Sequence, residues 1–505
     1  MNTNISKSLF TKHLQCEKAY YLHSRKIIVP EITLSQQLLF DSGREYEKYV
    51  HKMERFKNSI HIQEQCSTVE NKMNFTKMLS LTEKMLERSD TVLFEATLST
   101  KFKQNINLFC MIDVLKPNDD GSWNIYEIKS TKSVKPQHIV DLTFQYFTAQ
   151  QCGLNIRDVH IIHFNGDYVL QDTLDVESLS EVVRKTGEVK KEVQNIDKHI
   201  QSIQLTSQLE KIPEKKIGYH CFKPYECLFK TYCWKELPSP NVFDFFGPKT
   251  ASNFFEKGYV VIEDIPNQKL SSKQIKKVEK YSDGKLLFNK LKIESFLNNL
   301  IFPIYYFDFE TYAPKVPVFK NSSPHQRIPF QYSIHREDSL SEDCVHLDFL
   351  APANGLDPRL GLLKQLVNQL GKEGSVIVYH KSFEEGVLRE LSNLFPEYQS
   401  VIDNILSRLV DLELVFLNQY AYHPNMRLSK SSIKIVLEAF TKYSYKNLKG
   451  GVTNGSEAMD TFSLMQNGHF NDEEVEKVRT ELLAYCELDT LGMYELIKVL
   501  RKSIK

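Results

Sequence analysis

The 505-residue sequence carries no net charge, because 64 Lys and Arg offset 64 Asp and Glu. No global basic field announces a polyanionic partner, so any polyanion-binding surface must be local, with acids concentrated elsewhere. No apolar run approaches the roughly 18 to 20 residues that span a bilayer. The amino terminus, MNTNISKSLFTKHLQC, lacks the apolar core of a secretory signal. The expectations are no membrane association and a cytoplasmic location. Nine cysteines, an odd number, then read as thiols or metal ligands and not as a disulfide framework. Cys66, Cys110, Cys152, Cys344 and Cys486 stand singly and read as small buried hydrophobes. Internal repeats and long low-complexity stretches are absent.

What is present is a globular composition, 41% hydrophobic and 25% charged, at a length that calls for two or three domains. Residues 1 to about 60 read as helical, with apolar positions three and four apart through Leu9, Leu14, Tyr20 and Tyr21. From Val92 to Tyr168 the texture is that of an α/β core: strands TVLFEATL, NLFCMIDVLK and WNIYEIKS, the helical HIVDLTFQYFTAQQCG, then the strand DVHIIHF. PSPNVFDFFGP marks a boundary near residue 240. The expected organisation is 1–240, a lysine-rich helical linker at 241–299, and a second α/β domain at 300–505.

Three constellations carry chemistry. Asp113 ends an apolar strand, FCMID, and is answered across a turn by Glu127 and Lys129, which share a face of the next strand by the period of two. Carboxylates so placed hold Mg²⁺ or Mn²⁺ beside a hydrolytic water, while the lysine orients the water or offsets phosphate charge. Cys221, Cys227 and Cys233 recur at equal spacing in HCFKPYECLFKTYC, with Cys16 far upstream. Three thiolates on one irregular segment need a fourth ligand, and a cluster or zinc is the expectation. In IYYFDFETY, Asp308 and Glu310 share a strand face, Glu384 opens a helix, and Tyr485 and Asp489 are four apart on the last helix. Acids from separate elements converging on one spot need bound cations, and a two-metal hydrolytic centre is what they serve. Asp411 is a further acidic candidate.

The first constellation, followed by a helix bearing Gln145 and Tyr146, resembles the RecB-like branch of the PD-(D/E)XK nucleases. That resemblance implies catalytic roles for Asp113, Glu127, Lys129 and Gln145, with Glu95 as another metal ligand. Where such nucleases often carry an early histidine, this chain has Glu47, with His51 a turn later. One early cysteine and a late triplet around that core resemble the iron-sulfur nucleases related to AddB and the CRISPR adaptation exonuclease. A [4Fe-4S] cluster on Cys16, Cys221, Cys227 and Cys233 is implied, and four-cysteine zinc is the runner-up because spacing does not separate the metals. The third constellation resembles the DEDD exonucleases of ribonuclease H-like fold, in the tyrosine subclass. It implies metal ligation by Asp308, Glu310, Glu384 and Asp489, and a water-positioning role for Tyr485. His380-Lys-Ser-Phe383-Glu384 departs from that family's Asn-x-x-Phe-Asp by one methylene on the acid. Nearly the whole chain resembles a little-studied bacterial family that fuses the two modules.

The resulting expectation is a multidomain α/β protein: a restriction-endonuclease-like PD-(D/E)XK core with an iron-sulfur clasp, a helical linker, and an RNase H-like 3′-to-5′ exonuclease domain. Its implied activity is metal-dependent hydrolysis of DNA, single-stranded or at ends, in repair or in defence against foreign DNA. A nucleic-acid-binding scaffold with one degenerate site and an RNA 3′-end trimmer are the competing readings. Lys269, Lys273, Lys276, Lys277, Lys280, Lys285, Lys290 and Lys292 gather in the linker and would form the local basic track.

Overall fold

The computed structural model describes residues 3–30, 32–67, 73–88, 90–103, 105–282, 284–340, 343–426 and 431–505. The chain forms two mixed α/β units. The first runs to Leu237 and takes in Phe255–Lys257 and Lys315–Pro324, while the second comprises Pro238–Phe254, Gly258–Pro314 and His325–Lys505. No helix among the described residues is long and apolar enough to cross a membrane.

The sheet of the first unit has the order β2 (Ser59–His61), β3 (Val92–Lys103), β4 (Ile106–Pro117), β5 (Trp123–Lys129), β6 (Ile156–Phe164) and β7 (Ser180–Arg184), and β1 (Thr3–Ser6) pairs with β4. β3, β4 and β5 form an antiparallel meander, and β6 then lies parallel to β5. A parallel step needs a crossover, supplied here by the helix Pro136–Gln151, with proline in its first turn. β5 is buried almost throughout and does not alternate, as expected of a strand covered on both faces. One core gathers Phe10, Leu142, Phe144 and Ile161. A second gathers Tyr46, Val50, Phe94 and Phe164 together with Val316 from the inserted segment. That segment is clipped on by two backbone hydrogen bonds, Asn321 N–H to Leu170 O at 2.8 Å and Leu170 N–H to Ser322 O at 2.9 Å.

Two local expectations differ. The region expected to be helical begins with β1, whose four residues are too short for any periodicity to show, and whose partner Ile106–Phe109 lies a hundred residues away. β4 also continues four residues beyond Asp113, because Val114 and Leu115 are buried against neighbouring strands on either side.

The second unit is built on a five-stranded sheet in the order β11 (Val345–Leu350), β10 (Ile328–Glu337), β9 (Ile304–Tyr312), β12 (Ser375–Val378) and β13 (Leu409–Asp411). β10 is antiparallel to both its neighbours, while β12 is parallel to β9 and to β13. The 33-residue terminal helix Asp472–Ile504 opens on a capping box between Asn471 and Glu474. It is fastened to β10 by Gln331 Nε2 donating to Leu482 O at 2.8 Å and by Thr490 against His335 and Ser333. At its far end Arg501 and the Tyr306 hydroxyl converge on the buried carboxylate of Glu337. The stretch expected as a linker groups with this unit apart from Phe255–Lys257. Its strand β8 (Leu287–Phe288) pairs with β14 (Ala421–Tyr422).

Candidate active sites and a four-cysteine pocket

In the second unit, alternation along the central strand β9 turns Asp308 and Glu310 to one face, and the terminal helix brings Asp489 to them. One ligand oxygen from each lies within 4.8 Å of the others. Glu310 and Asp489 are buried, Asp308 half-buried. The Tyr445 hydroxyl donates to Asp489 Oδ1. Lys434 donates to Thr453 O at 2.7 Å and lies 5.0 Å and 5.2 Å from the ring centres of Tyr445 and Tyr485. Glu384, from the first turn of the helix Ser382–Leu394, is 1% exposed, and its Oε2 has no hydrogen-bond partner.

Burial and mutual repulsion hold protons on this cluster. Burial first, then the charges of Asp489 and Glu384, push Asp308 well above the carboxylate range, and Glu310 rises for the same reasons. Glu384 is pushed up to about 8 by burial, with Asp411 and Asp489 adding to it. Asp489 is raised less, to about 6, because hydrogen bonds from Tyr445 and Tyr485 and the charge of Lys434 oppose its burial. An all-oxygen donor set that repels itself when ionised fits a hard divalent cation. Asp411, whose charge acts on Glu384, accepts backbone N–H groups from Lys381 at 3.1 Å and Glu413 at 3.0 Å.

In the first unit the predicted residues also meet, in a different electrostatic state. Lys129 Nζ donates to Glu127 Oε1 and to Asp141 Oδ2, both at 2.7 Å. Lys7, from the first helix, reaches the same Glu127 oxygen at 2.9 Å, and Gln145 Nε2 donates to Oε2. Asp113 Oδ2 accepts the backbone N–H of Ile128 at 2.7 Å. Burial alone would raise Glu127, but Lys129 and Lys7 overcome it and hold the carboxyl below its ordinary value. Asp113 is pushed well up by burial and by Glu127. Glu95, at a positive φ of 54° on β3, is pushed up to about 7 by burial and by Glu47. Glu47 therefore faces the same site, whereas His51 stacks on Phe94 at 3.9 Å. Tyr146 belongs to the apolar core. Among the described residues, the acids of this site do not bring three ligand atoms within 4.8 Å of one another.

Cys16, Cys221, Cys227 and Cys233 line one pocket, with Lys18, Lys215, Lys216 and Lys230 around it. Cys16 sits between two helices, and Gln15 Nε2 ties them to the cysteine loop by donating to His220 O at 2.9 Å and Tyr225 O at 2.7 Å. Burial raises the Cys16 thiol and pushes Cys227 up to about 11. Such thiols need a metal to become thiolates near neutrality. No three of the four sulfurs lie within 4.8 Å of one another.

Sequence reading missed Lys7, Asp141, Lys434 and Tyr445. Lys7 stands in a stretch read as plain helix. Lys434 and Tyr445 belong to a region with no strand-face pairing or repeated spacing to mark them. Of the lysine run, Lys269, Lys273, Lys276, Lys285, Lys290 and Lys292 are exposed, while the side chains of Lys277 and Lys280 lie outside those described.

A family model described as "Domain of unknown function (DUF2779)" matches residues 305–431, the stretch holding Asp308, Glu310 and Glu384. The chain is 29% identical over 216 residues to "Uncharacterized protein MG366" of Mycoplasma genitalium, covering 40% of this chain and 32% of that protein. It is 29% identical over 204 residues to the "Uncharacterized protein MG366 homolog" of Mycoplasma pneumoniae, covering 37% and 30%. The matched stretch thus spans about a third of these curated relatives. A solved structure titled "Crystal structure of SSO0001" aligns with 40% of this chain and 98% of its own, at 11% identity and a TM-score of 0.19.

Proposed function

We propose that the chain is a metal-dependent DNA nuclease with two hydrolytic sites, a RecB-like PD-(D/E)XK site in the first unit and a DEDDy-type exonuclease site in the second. The observation that carries the reading is the convergence of Asp308, Glu310 and Asp489, one ligand oxygen each within 4.8 Å, beneath Tyr485. Two features of the topology support it. A five-stranded sheet with the first strand central, the second antiparallel and the acids on that central strand is expected of a ribonuclease H-like fold. A β3-β4-β5 meander, a crossover helix and a parallel β6, with Asp113 on the second strand and Glu127 and Lys129 on the third, is expected of the restriction-endonuclease-like core.

In the second unit Asp308, Glu310, Asp489 and Glu384 would hold Mg²⁺ or Mn²⁺, which supplies Lewis acidity and lowers the pKa of bound water. Tyr485, its hydroxyl held far above its ordinary pKa by burial and Asp489, stays protonated, and with Asp489 engaged by a metal its single O–H would be free to orient water as a hydrogen-bond donor. Lys434 offsets acidic charge from the side of the two tyrosine rings. In the first unit Asp113, Glu95 and Glu127 would be the metal-binding acids, and Lys129, held by Glu127 and Asp141, would offset the phosphate charge.

The cysteine pocket supports a structural [4Fe-4S] cluster over zinc. Tetrahedral zinc with bonds of about 2.3 Å needs all four sulfurs about 3.8 Å from one another, and no three of these sulfurs come within 4.8 Å of one another. The surrounding lysines offset the thiolate charge.

The test is cleavage of end-labelled DNA and RNA by anaerobically purified protein with Mn²⁺. Asp113→Ala and Asp308→Ala should each leave activity, and the double variant none. No cleavage of either polymer by wild type with an intact cluster overturns the reading, and preference for RNA replaces it with 3′-end trimming. One observation favours a second reading for the first unit. Lys7 occupies Glu127, which suits a nucleic-acid-binding module with a degenerate site, and loss of all cleavage in Asp308→Ala alone, with cleavage by Asp113→Ala undiminished, decides for it.

A further inference from the structure

Lys315 belongs to the segment Lys315–Pro324 that completes the first unit, although in the chain it follows β9 by only three residues. Its ammonium donates to Leu39 O at 3.0 Å and to Ser130 Oγ at 3.1 Å. Ser130 directly follows Lys129, so this cation stands at the edge of the first-unit site. The side chain is half-buried, and its neighbour Val316 is buried in the core, which fixes the segment in place. Yet among the described residues Lys315 has no carboxylate within ion-pair distance, while Lys7 and Lys129 both do. Burial alone acts on its charge and lowers its pKa. A cation withdrawn from water without a counter-charge is costly.

We propose that Lys315 binds a backbone phosphate of the nucleic acid in the first-unit site, as a substrate-positioning residue delivered from the far side of β9 in the sequence. Two of its three N–H donors are held by Leu39 and Ser130, which aims the remaining one. The inference rests on the reading that this site handles DNA. Its occupant is a phosphodiester oxygen, and an ammonium without a planar fork gives it no base preference.

The experiment uses the full chain with its metal cluster, in an Asp308→Ala background that silences the second site. Binding of labelled oligothymidylate is followed by anisotropy across a salt series without divalent metal, and cleavage is followed with Mn²⁺. Lys315→Gln should weaken binding several-fold and make the slope of log K against log salt shallower by about 0.7, the loss of one single-strand phosphate contact. It should raise KM by a similar factor with kcat within about twofold, and Lys315→Arg should restore both, as expected for a positioning contact. Tryptophan fluorescence reports folding of the first unit, since Trp123 and Trp234 both lie there. Removing an unpaired cation should leave its melting temperature equal or higher. If Lys315→Gln is folded and matches wild type in affinity, salt slope and KM, the proposal is overturned. If Lys315→Gln is unfolded, a salt slope unchanged in Lys315→Arg and in a charge-free Lys315→Met overturns it equally. Asp113→Asn separates the two ideas: should it leave cleavage intact, the hydrolytic reading fails, and the phosphate contact stands or falls on the salt slope.

Discussion

Replacing Glu384 by glutamine should stabilise the metal-free second unit, although it removes a residue placed in the site. Glu384 is 1% exposed, has an unpartnered oxygen, and its carboxyl is pushed from 4.5 up to about 8. The folded value lies above the unfolded one, so the group costs nothing below about pH 4.5, where both states are protonated. The cost grows as pH rises and is complete above about 8. At pH 7.5 the three intervening units correspond to about 4 kcal/mol. Glutamine avoids that cost but leaves a buried amide incompletely bonded, worth about 1–3 kcal/mol. The net gain is about 1–3 kcal/mol, or a rise of roughly 2–10 °C for a unit of this size. Hydrogen exchange in the terminal helix and far-ultraviolet circular dichroism follow the second unit, while tryptophan fluorescence tracks the first as an internal control. The gain should vanish between about pH 5 and 7, where the two costs cross, and become a loss of about 1–3 kcal/mol near pH 4.5. With saturating Mn²⁺ the order should reverse, because a cation at a hundred times its Kd stabilises wild type by about 2.7 kcal/mol. A variant less stable than wild type at every pH, or a gain that ignores pH between 4.5 and 8, refutes the electrostatic account of the site.

Tyr485→Phe should lower kcat at the second site by about 10²-fold with KM little changed, the cost of one preorganised donor, and steady-state kinetics in an Asp113→Ala background will show it. Cys227→Ser should lose iron and visible absorbance and destabilise the first unit, read from Trp234 beside the cysteine loop. Lys7→Met removes one of two cations holding Glu127 ionised. Because Glu127 is held below its ordinary value, that stability exists above about pH 4.5 and is lost as pH falls. The variant should be about 1–3 kcal/mol less stable than wild type at pH 7, and by urea unfolding the difference should close only in strong acid, well below pH 3, as pH falls through the folded carboxyl's depressed value. Arg501→Met leaves the Glu337 carboxylate buried and unpaired against Tyr306, and should cost about 3–5 kcal/mol, measured by urea unfolding of the second unit.

The parts legible in the sequence were those with a period. Two-residue spacing placed Asp308 with Glu310 and Glu127 with Lys129, and four-residue spacing placed Tyr485 with Asp489, because strand and helix geometry fix which side chains share a face. The four cysteines were legible as a set by type alone. Long-range pairing carries no such mark. β1 is four residues joined to a strand about a hundred positions on, and the stretch 241–299 looked like a linker because its strand β8 finds its partner β14 only beyond residue 420. Lys434, Tyr445 and Lys315 were missed for the same reason: each reaches its site from a loop or a turn of helix whose destination is set by packing. Asp411 also accepts backbone N–H groups at the start of a helix, a role that its acidic type alone did not show.

The clipped segment Lys315–Pro324 also has a consequence for how the protein is made. The first unit lacks Val316 and the Leu170 backbone partners until about 87 further residues beyond Leu237 have been synthesised. At about 5–20 residues per second this leaves the unit incomplete on the ribosome for roughly 4–17 s. During that interval the apolar surface of Tyr46 and Val50 has no cover from the segment. A gene cut at residue 240 would make the delay permanent, leaving the first unit without Val316 and the two backbone hydrogen bonds of Leu170.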